Sequence, residues 1–128
     1  MRLGYVILYV ADVMATVNFY EKAFGLKRRF VHESQAYAEI ETGQTALAFV
    51  DEAMVKLSHP FRLNRTKEES AGIEVALVTE NVEQQFARAI DAGATAVVKP
   101  MEKPWGQTVS YVKDNNGCLV EICSPIQS

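Results

Sequence analysis

Residues 3–25, LGYVILYVADVMATVNFYEKAFG, carry two periods in succession. From Arg2 to Val10 apolar side chains fill both alternating faces, Leu3/Tyr5/Ile7/Tyr9 on one and Val6/Leu8/Val10 on the other. That pattern suits a strand covered by helices on one side and facing an enclosed space on the other. Asp12 stands where a helix N-cap belongs, and Val13, Val17, Tyr20 and Phe24 recur at helical spacing until Gly25 supplies a C′ stop.

Three further strands follow in the first half. Leu26 to Glu33 is one; Tyr37 to Glu41 has the alternation of a half-buried strand; Thr42-Gly43 reads as a turn; Thr45 to Val50 closes the set. The first half is thus βαβββ. Residues 52–70 contain Pro60, no sustained period and many polar residues, and read as a linker or arm with at most a short helix near its start.

The second half repeats the plan. Gly72 to Thr79 is a strand, Asn81 a cap, Val82 to Ala92 a helix with Val82, Phe86, Ala89 and Ile90 inward, and Gly93 a stop. Thr95 to Lys99, Gln107 to Lys113, the turn Asp114-Asn115-Asn116-Gly117 and Cys118 to Cys123 complete three more strands. Setting Tyr5 beside Glu74 also sets Leu8 beside Leu77 and Val13 beside Val82, so the repeat shows in residues as well as in pattern. The expected organisation is a single α+β domain: module one at 1–51, the linker at 52–70 and module two at 71–128. Each module has an apolar sheet face that it cannot bury alone, and pairing the modules, within one chain or between two, would enclose a curved sheet trough fit for a small molecule.

Composition narrows the function. The chain has 128 residues, 48% of them hydrophobic, enough for one core and too few for two independent domains. Thirteen basic residues against 16 acidic ones give a formal charge of -3 without a basic stripe, which argues against nucleic acid as a partner. With no run of about eighteen apolar residues and no leader-like N-terminus, the expectation is a cytoplasmic protein without membrane contact. Cys118 and Cys123 lie on one strand, roughly 16 Å apart at about 3.3 Å per residue, so they read as reduced thiols. Phosphate loops, paired Cys-x-x-Cys motifs and nucleophile elbows do not occur.

Three stretches carry a family likeness: Tyr9-Val10-Ala11-Asp12-Val13 followed by Asn18-Phe19-Tyr20-Glu21-Lys22-Ala23-Phe24-Gly25-Leu26; Thr79-Glu80-Asn81-Val82 through Ala92-Gly93-Ala94; and Asp114-Asn115-Asn116-Gly117-Cys118-Leu119-Val120-Glu121-Ile122. Together they resemble the vicinal oxygen chelate superfamily, which includes glyoxalase I, extradiol dioxygenases and bleomycin-resistance proteins. The resemblance spans nearly the whole chain. It implies the glyoxalase/bleomycin-resistance/dioxygenase fold, and four positions on the sheets where metal-dependent members place His or Glu. In this chain those positions hold Tyr5, Ala48, Glu74 and Glu121. A one-residue shift of the fifth strand would substitute Ile73 for Glu74 and turn Glu74 away, and both registers remain open.

Ni²⁺ and Zn²⁺ favour imidazole or thiolate, and neither His32 nor His59 falls on a ligand position. The expectation is therefore no bound transition metal; if a metal does bind, Glu74 and Glu121 would hold Mg²⁺ or Mn²⁺. Glu121, alternating with Leu119 and Cys123, is the candidate catalytic acid or base, against the alternative that an internal group merely satisfies it. Glu74 would meet it across the trough, sharing a proton, or else be an outward charge. Tyr5 and Ala48 line the ligand side. Trp105, in the loop Lys103-Pro104-Trp105-Gly106-Gln107, forms a ligand wall or plugs a gap. The arm bearing His59, Arg62, Asn64, Arg65 and Lys67 either attracts an anion, lies over a partner subunit, or is solvated linker.

The function expected on this basis is a small-molecule binder of the bleomycin-resistance type with no cofactor. The alternative is a divalent-metal-dependent lyase, isomerase or dioxygenase using Glu121, with or without Glu74. The resemblance also implies a homodimer, with modules exchanged between chains if the linker permits.

Overall fold

In the computed structural model, which describes residues 1–126, the chain divides into two compact units, residues 1–64 and the remainder from Arg65. Each unit carries one four-stranded mixed sheet.

The first unit begins with β1 (Tyr5–Val10) and α1 (Val13–Phe24). Asp12 caps α1 by accepting from Ala15 N, a contact of about 1 kcal/mol, and Gly25 closes it in the left-handed conformation, φ 68°. Three strands follow: β2 (Lys27–Val31), β3 (Tyr37–Glu41) and β4 (Ala46–Asp51). Their order in the sheet is β1-β4-β3-β2, with β1 parallel to β4 and the other pairs antiparallel. α1 covers one face. Val13, Thr16, Val17, Tyr20 and Ala23 turn inward, and Tyr20 and Phe49 meet with ring centroids 4.9 Å apart over the buried side chains of Ile40 and Leu47. The opposite face presents Tyr5, Ile7, Ala48, Tyr37 and Glu39, and α1 leaves it uncovered.

The second unit repeats the scheme with β5 (Glu74–Val78), α3 (Val82–Asp91), β6 (Thr95–Glu102), β7 (Thr108–Lys113) and β8 (Leu119–Cys123). The order is β5-β8-β7-β6, again with one parallel pair, β5 with β8. Val82 and Ala89 of α3 are buried, as are Val112, Val120 and Ile122 of the sheet. Ser110, also buried, is satisfied by donating to the Ile122 carbonyl at 2.8 Å.

Two expected strand boundaries move by three residues, and the other element boundaries shift by at most two. β1 starts at Tyr5 rather than Arg2, because Tyr5 is the first residue with a partner, Ala46. β6 runs past Lys99 to Glu102 through Pro100. It is an edge strand paired only with β7, its register shifts twice, and a proline there removes no needed donor.

The middle segment is largely exposed but tethered. It opens with α2 (Glu52–Lys56), and the chain beyond packs back on the first unit: His59 meets the Tyr9 hydroxyl at 3.2 Å, Phe61 packs edge-on against Tyr9, and Asn64 donates to the Tyr9 carbonyl. From Arg65 onward it belongs to the second unit, where Ser70 donates to the Gly117 carbonyl at 2.7 Å and Lys113 donates to the Glu68 carbonyl. Among the described residues no helix is long and apolar enough to cross a membrane.

Gly117, φ 90°, is the closest of these contacts: a Cβ there would lie 2.3 Å from the Arg65 carbonyl oxygen. Gly43, φ 110°, has nothing within 4 Å. Gly117→Ala is expected to destabilise the second unit by about 3 kcal/mol or more, combining backbone strain with the clash, whereas Gly43→Ala should cost about 1 kcal/mol from backbone conformation alone. Urea unfolding of the two variants beside wild type measures the difference.

Candidate functional site

On β8 side chains alternate strictly. Val120 and Ile122 go under α3, so Leu119, Glu121 and Cys123 take the other face. The parallel register pairs Ala76 with Glu121 and Glu74 with Leu119, which puts Glu74 on that same face, one pleat along from Glu121. Ile73 precedes the strand and is not the alternative occupant. Glu74 thus lies on the face of Glu121, though exposed: the core residues Val120 and Ile122 fix the register of β8, and β5 follows by hydrogen bonding.

The two carboxyls share a hydrogen bond. This bond chiefly, then partial burial, then the charge of Glu121, push the Glu74 carboxyl up from 4.5 to about 7. Below about pH 7 the Glu74 carboxyl therefore holds a proton beside Glu121. Tyr111, opposite Glu121 on β7, borders the pair, and its phenol is raised by burial first and then by the charges of Glu121 and Glu74. Cys123 follows on β8, its thiol raised by burial and by Glu121. Cys118 is pushed up to about 12, mainly by burial and then by Asp114, and is an inert thiol at neutral pH.

Trp105 is tethered to this cluster. Its indole Nε1 donates to Gln107 Oε1 at 2.9 Å, while Gln107, 8% exposed, donates from Nε2 to the Ser124 carbonyl and also contacts Cys123. The indole itself is 58% exposed. Trp105 is thus held at its nitrogen with much of its ring exposed.

Tyr5 and Ala48 lie on the side of the first sheet away from α1; Tyr5 is exposed, whereas Ala48, flanked by Ile7 on β1 and Glu39 on β3, is fully buried. The structure thus brings Glu74 and Glu121 together and places Tyr5 and Ala48 on the other sheet. Tyr111, Gln107 and Glu39 escaped the sequence reading. The alternation of Tyr37-Ala38-Glu39-Ile40-Glu41 already put Glu39 on the face shared with Tyr37, but that it stands beside Ala48 depends on pairing.

These donors can be set against a metal site. Of the four positions, one is a phenol, one a methyl group and two are carboxyls that share a proton. Among the described residues no group of three or more His, Cys, Asp or Glu side chains is arranged to hold an ion. The set does not fit a borderline ion that prefers imidazole or thiolate.

A βαβββ module present twice, each copy with one helix-covered and one uncovered sheet face, with polar groups gathered on the uncovered faces, defines the class of protein. The chain belongs to the Glyoxalase/Bleomycin resistance protein/Dioxygenase superfamily, whose family model matches residues 2–122. It is 23% identical over 124 residues to the uncharacterized protein YraH of Bacillus subtilis (strain 168), covering 95% of this chain and 97% of that one. It is 25% identical over 129 residues to lactoylglutathione lyase of Escherichia coli O157:H7, covering 95% and 91%. The crystal structure of a glyoxalase-related enzyme from Fulvimarina pelagi shares its fold, with a TM-score of 0.81 at 18% identity over 98% of this chain and 88% of that one.

A carboxyl held above its ordinary value in the folded state stabilises the fold fully below about pH 4.5 and loses that contribution as pH rises through about 7. Wild type should therefore lose thermal stability over that window, and Glu74→Gln should flatten the loss. Carbon-13 NMR of the side-chain carboxyls should show the Glu74 midpoint near 7; a midpoint near 4.5 would mean that the two groups do not share a proton.

Proposed function

We propose that the chain binds a small molecule against its uncovered sheet faces without a bound transition metal, as a cytoplasmic homodimer, and that the Glu74–Glu121 pair is the polar anchor of the ligand. The observation that carries this is the register that puts the two carboxyls on one face, one pleat apart, with Tyr111 opposite Glu121. A pair holding one proton offers one O–H donor and several acceptor lone pairs within a few ångströms, which matches a ligand presenting both donors and acceptors. Trp105 adds a flat wall on the same unit, while Tyr5 offers a phenol on the first unit's own sheet face, where Ala48 lies buried.

A second reading, that the chain is an enzyme, is favoured by one specific feature: the Glu74 carboxyl, held up at about 7, can both hold and release a proton at neutral pH. In that case Glu74 and Glu121 are the general acid and base. They pass a proton to or from an oxygen of the substrate while Tyr111 supports the charge left on Glu121. The similarity to lactoylglutathione lyase agrees with lyase or isomerase chemistry. Mg²⁺ or Mn²⁺ would have to displace the shared proton to use the same two carboxyls.

Calorimetric titration of Mg²⁺, Mn²⁺, Ni²⁺ and Zn²⁺ into untagged protein and into Glu121→Ala separates the two readings. No stoichiometric binding by wild type is the expected result; stoichiometric binding that disappears in Glu121→Ala would replace the metal-free receptor with a metal-dependent enzyme. Light scattering should give twice the 14.2 kDa of one chain.

A further inference from the structure

The uncovered face of the first unit holds a second polar group that shares no residue with the Glu74–Glu121 pair. β2 bulges between Arg28 and Phe30. The extra residue lets Arg29 join Phe30 on the uncovered face, while Arg28 turns toward α1 and binds Glu21 at 2.8 Å. Glu39 stands between Phe30, its partner on β2, and Ala48, its partner on β4, with its side chain only 14% exposed. Tyr37 donates to its Oε2 at 2.7 Å.

The other oxygen is not satisfied in the same way. Glu39 Oε1 lies 3.7 Å from Nε of Arg29, too far for a hydrogen bond, and accepts none from any described residue. The same Nε is 3.8 Å from Glu41 Oε2. One guanidinium is thus shared loosely between two carboxylates. Lys27, opposite Glu41, forms no ion pair with it among the described residues. Arg29 and Lys27 balance Glu39 and Glu41 in number, so no excess of positive charge draws an anion here. The rings of Phe30 and Tyr37, with centroids 6.3 Å apart, flank the carboxylate.

A sheltered carboxylate with one oxygen open to a donor, bordered by aromatic rings, suits a cationic N–H group carried on a flat ring. We propose that Glu39 is a binding residue for the charged nitrogen of an aromatic amidine or amine, and that Arg29 is an internal competitor whose guanidinium the ligand displaces. Tyr37 acts as the positioning residue: its hydroxyl holds Oε2 and so aims Oε1 at the ligand. This goes beyond the anchor role of the Glu74–Glu121 pair and stands or falls separately from it.

Benzamidine is the probe, titrated into the full chain at fixed ionic strength by calorimetry and by proton–nitrogen NMR. Amide shifts should gather at Phe30, Tyr37, Glu39 and Ala48. Glu39→Gln should weaken binding about tenfold or more, the usual scale for losing a charge-assisted hydrogen bond. Arg29→Gln should tighten it about two- to fivefold by removing the competing cation. Arg28→Gln, the same charge change on the helix side of the sheet, should leave it unaltered. A variant that had merely lost its fold would not gain affinity, so Arg29→Gln guards against that trivial outcome. The inference is overturned if wild type does not bind, if Glu39→Gln binds as well as wild type, or if Arg29→Gln binds no better. Shifts that gather instead at Glu74 and Glu121 would also overturn it, while leaving the acid-pair proposal standing.

Discussion

In each unit a central strand, β4 or β8, is hydrogen-bonded on both sides, and the register of that strand decides what every neighbour presents. The constraint comes from the core. Val120 and Ile122 must lie under α3, because moving β8 by one residue would bury Glu121 beneath a helix and expose both aliphatic side chains. Burying an unpaired carboxylate costs several kcal/mol, far more than any gain from another pairing. Once β8 is fixed, Glu74 and Tyr111 are delivered to the side of Glu121 by backbone hydrogen bonds, with no side-chain interaction needed to bring them there. Leu47 and Phe49 play the same part in β4, and so set Glu39 beside Ala48.

The two units place acidic groups on uncovered, partly apolar sheet faces, and they meet the resulting electrostatic cost differently. In the first, Glu39 accepts from Tyr37 and has Arg29 nearby as a loose counter-ion. In the second, neither Glu74 nor Glu121 has an ion-pair partner among the described residues, and a proton takes the place of a cation. The same topology therefore yields one carboxyl group with a guanidinium nearby and one carboxyl pair that holds a proton below about pH 7. That difference arises from one bulge and one strand register rather than from any difference in fold.

The middle segment shows how a stretch with no periodicity can still be ordered. His59 and Phe61 lie on Tyr9, and the chain beyond Arg65 passes so near Gly117 that only a glycine fits. The turn Asp114–Gly117 is itself held by Asp114, whose Oδ1 accepts from the amides of Asn116 and Cys118. A short polar turn thereby anchors a segment far away in sequence, a link for which local pattern gives no sign.

From the sequence alone came the two βαβββ modules, both long helices with their caps, the alternation that puts Glu121 opposite Val120 and Ile122, and the family. All of these rest on local rules: period two or 3.6, a capping side chain at Asp12 or Asn81, a glycine after each helix. The two chain-end residues beyond Ile126, within module two, lie outside the described structure. Which side chains meet across strands was decided only by tertiary structure. The choice between Glu74 and Ile73, the approach of Tyr111 to Glu121, and the bulge that brings Arg29 to Glu39 all depend on hydrogen-bond register between strands distant in sequence. Period two determines that a residue has a face, but only pairing determines its neighbours, because register is set by the packing of the whole core.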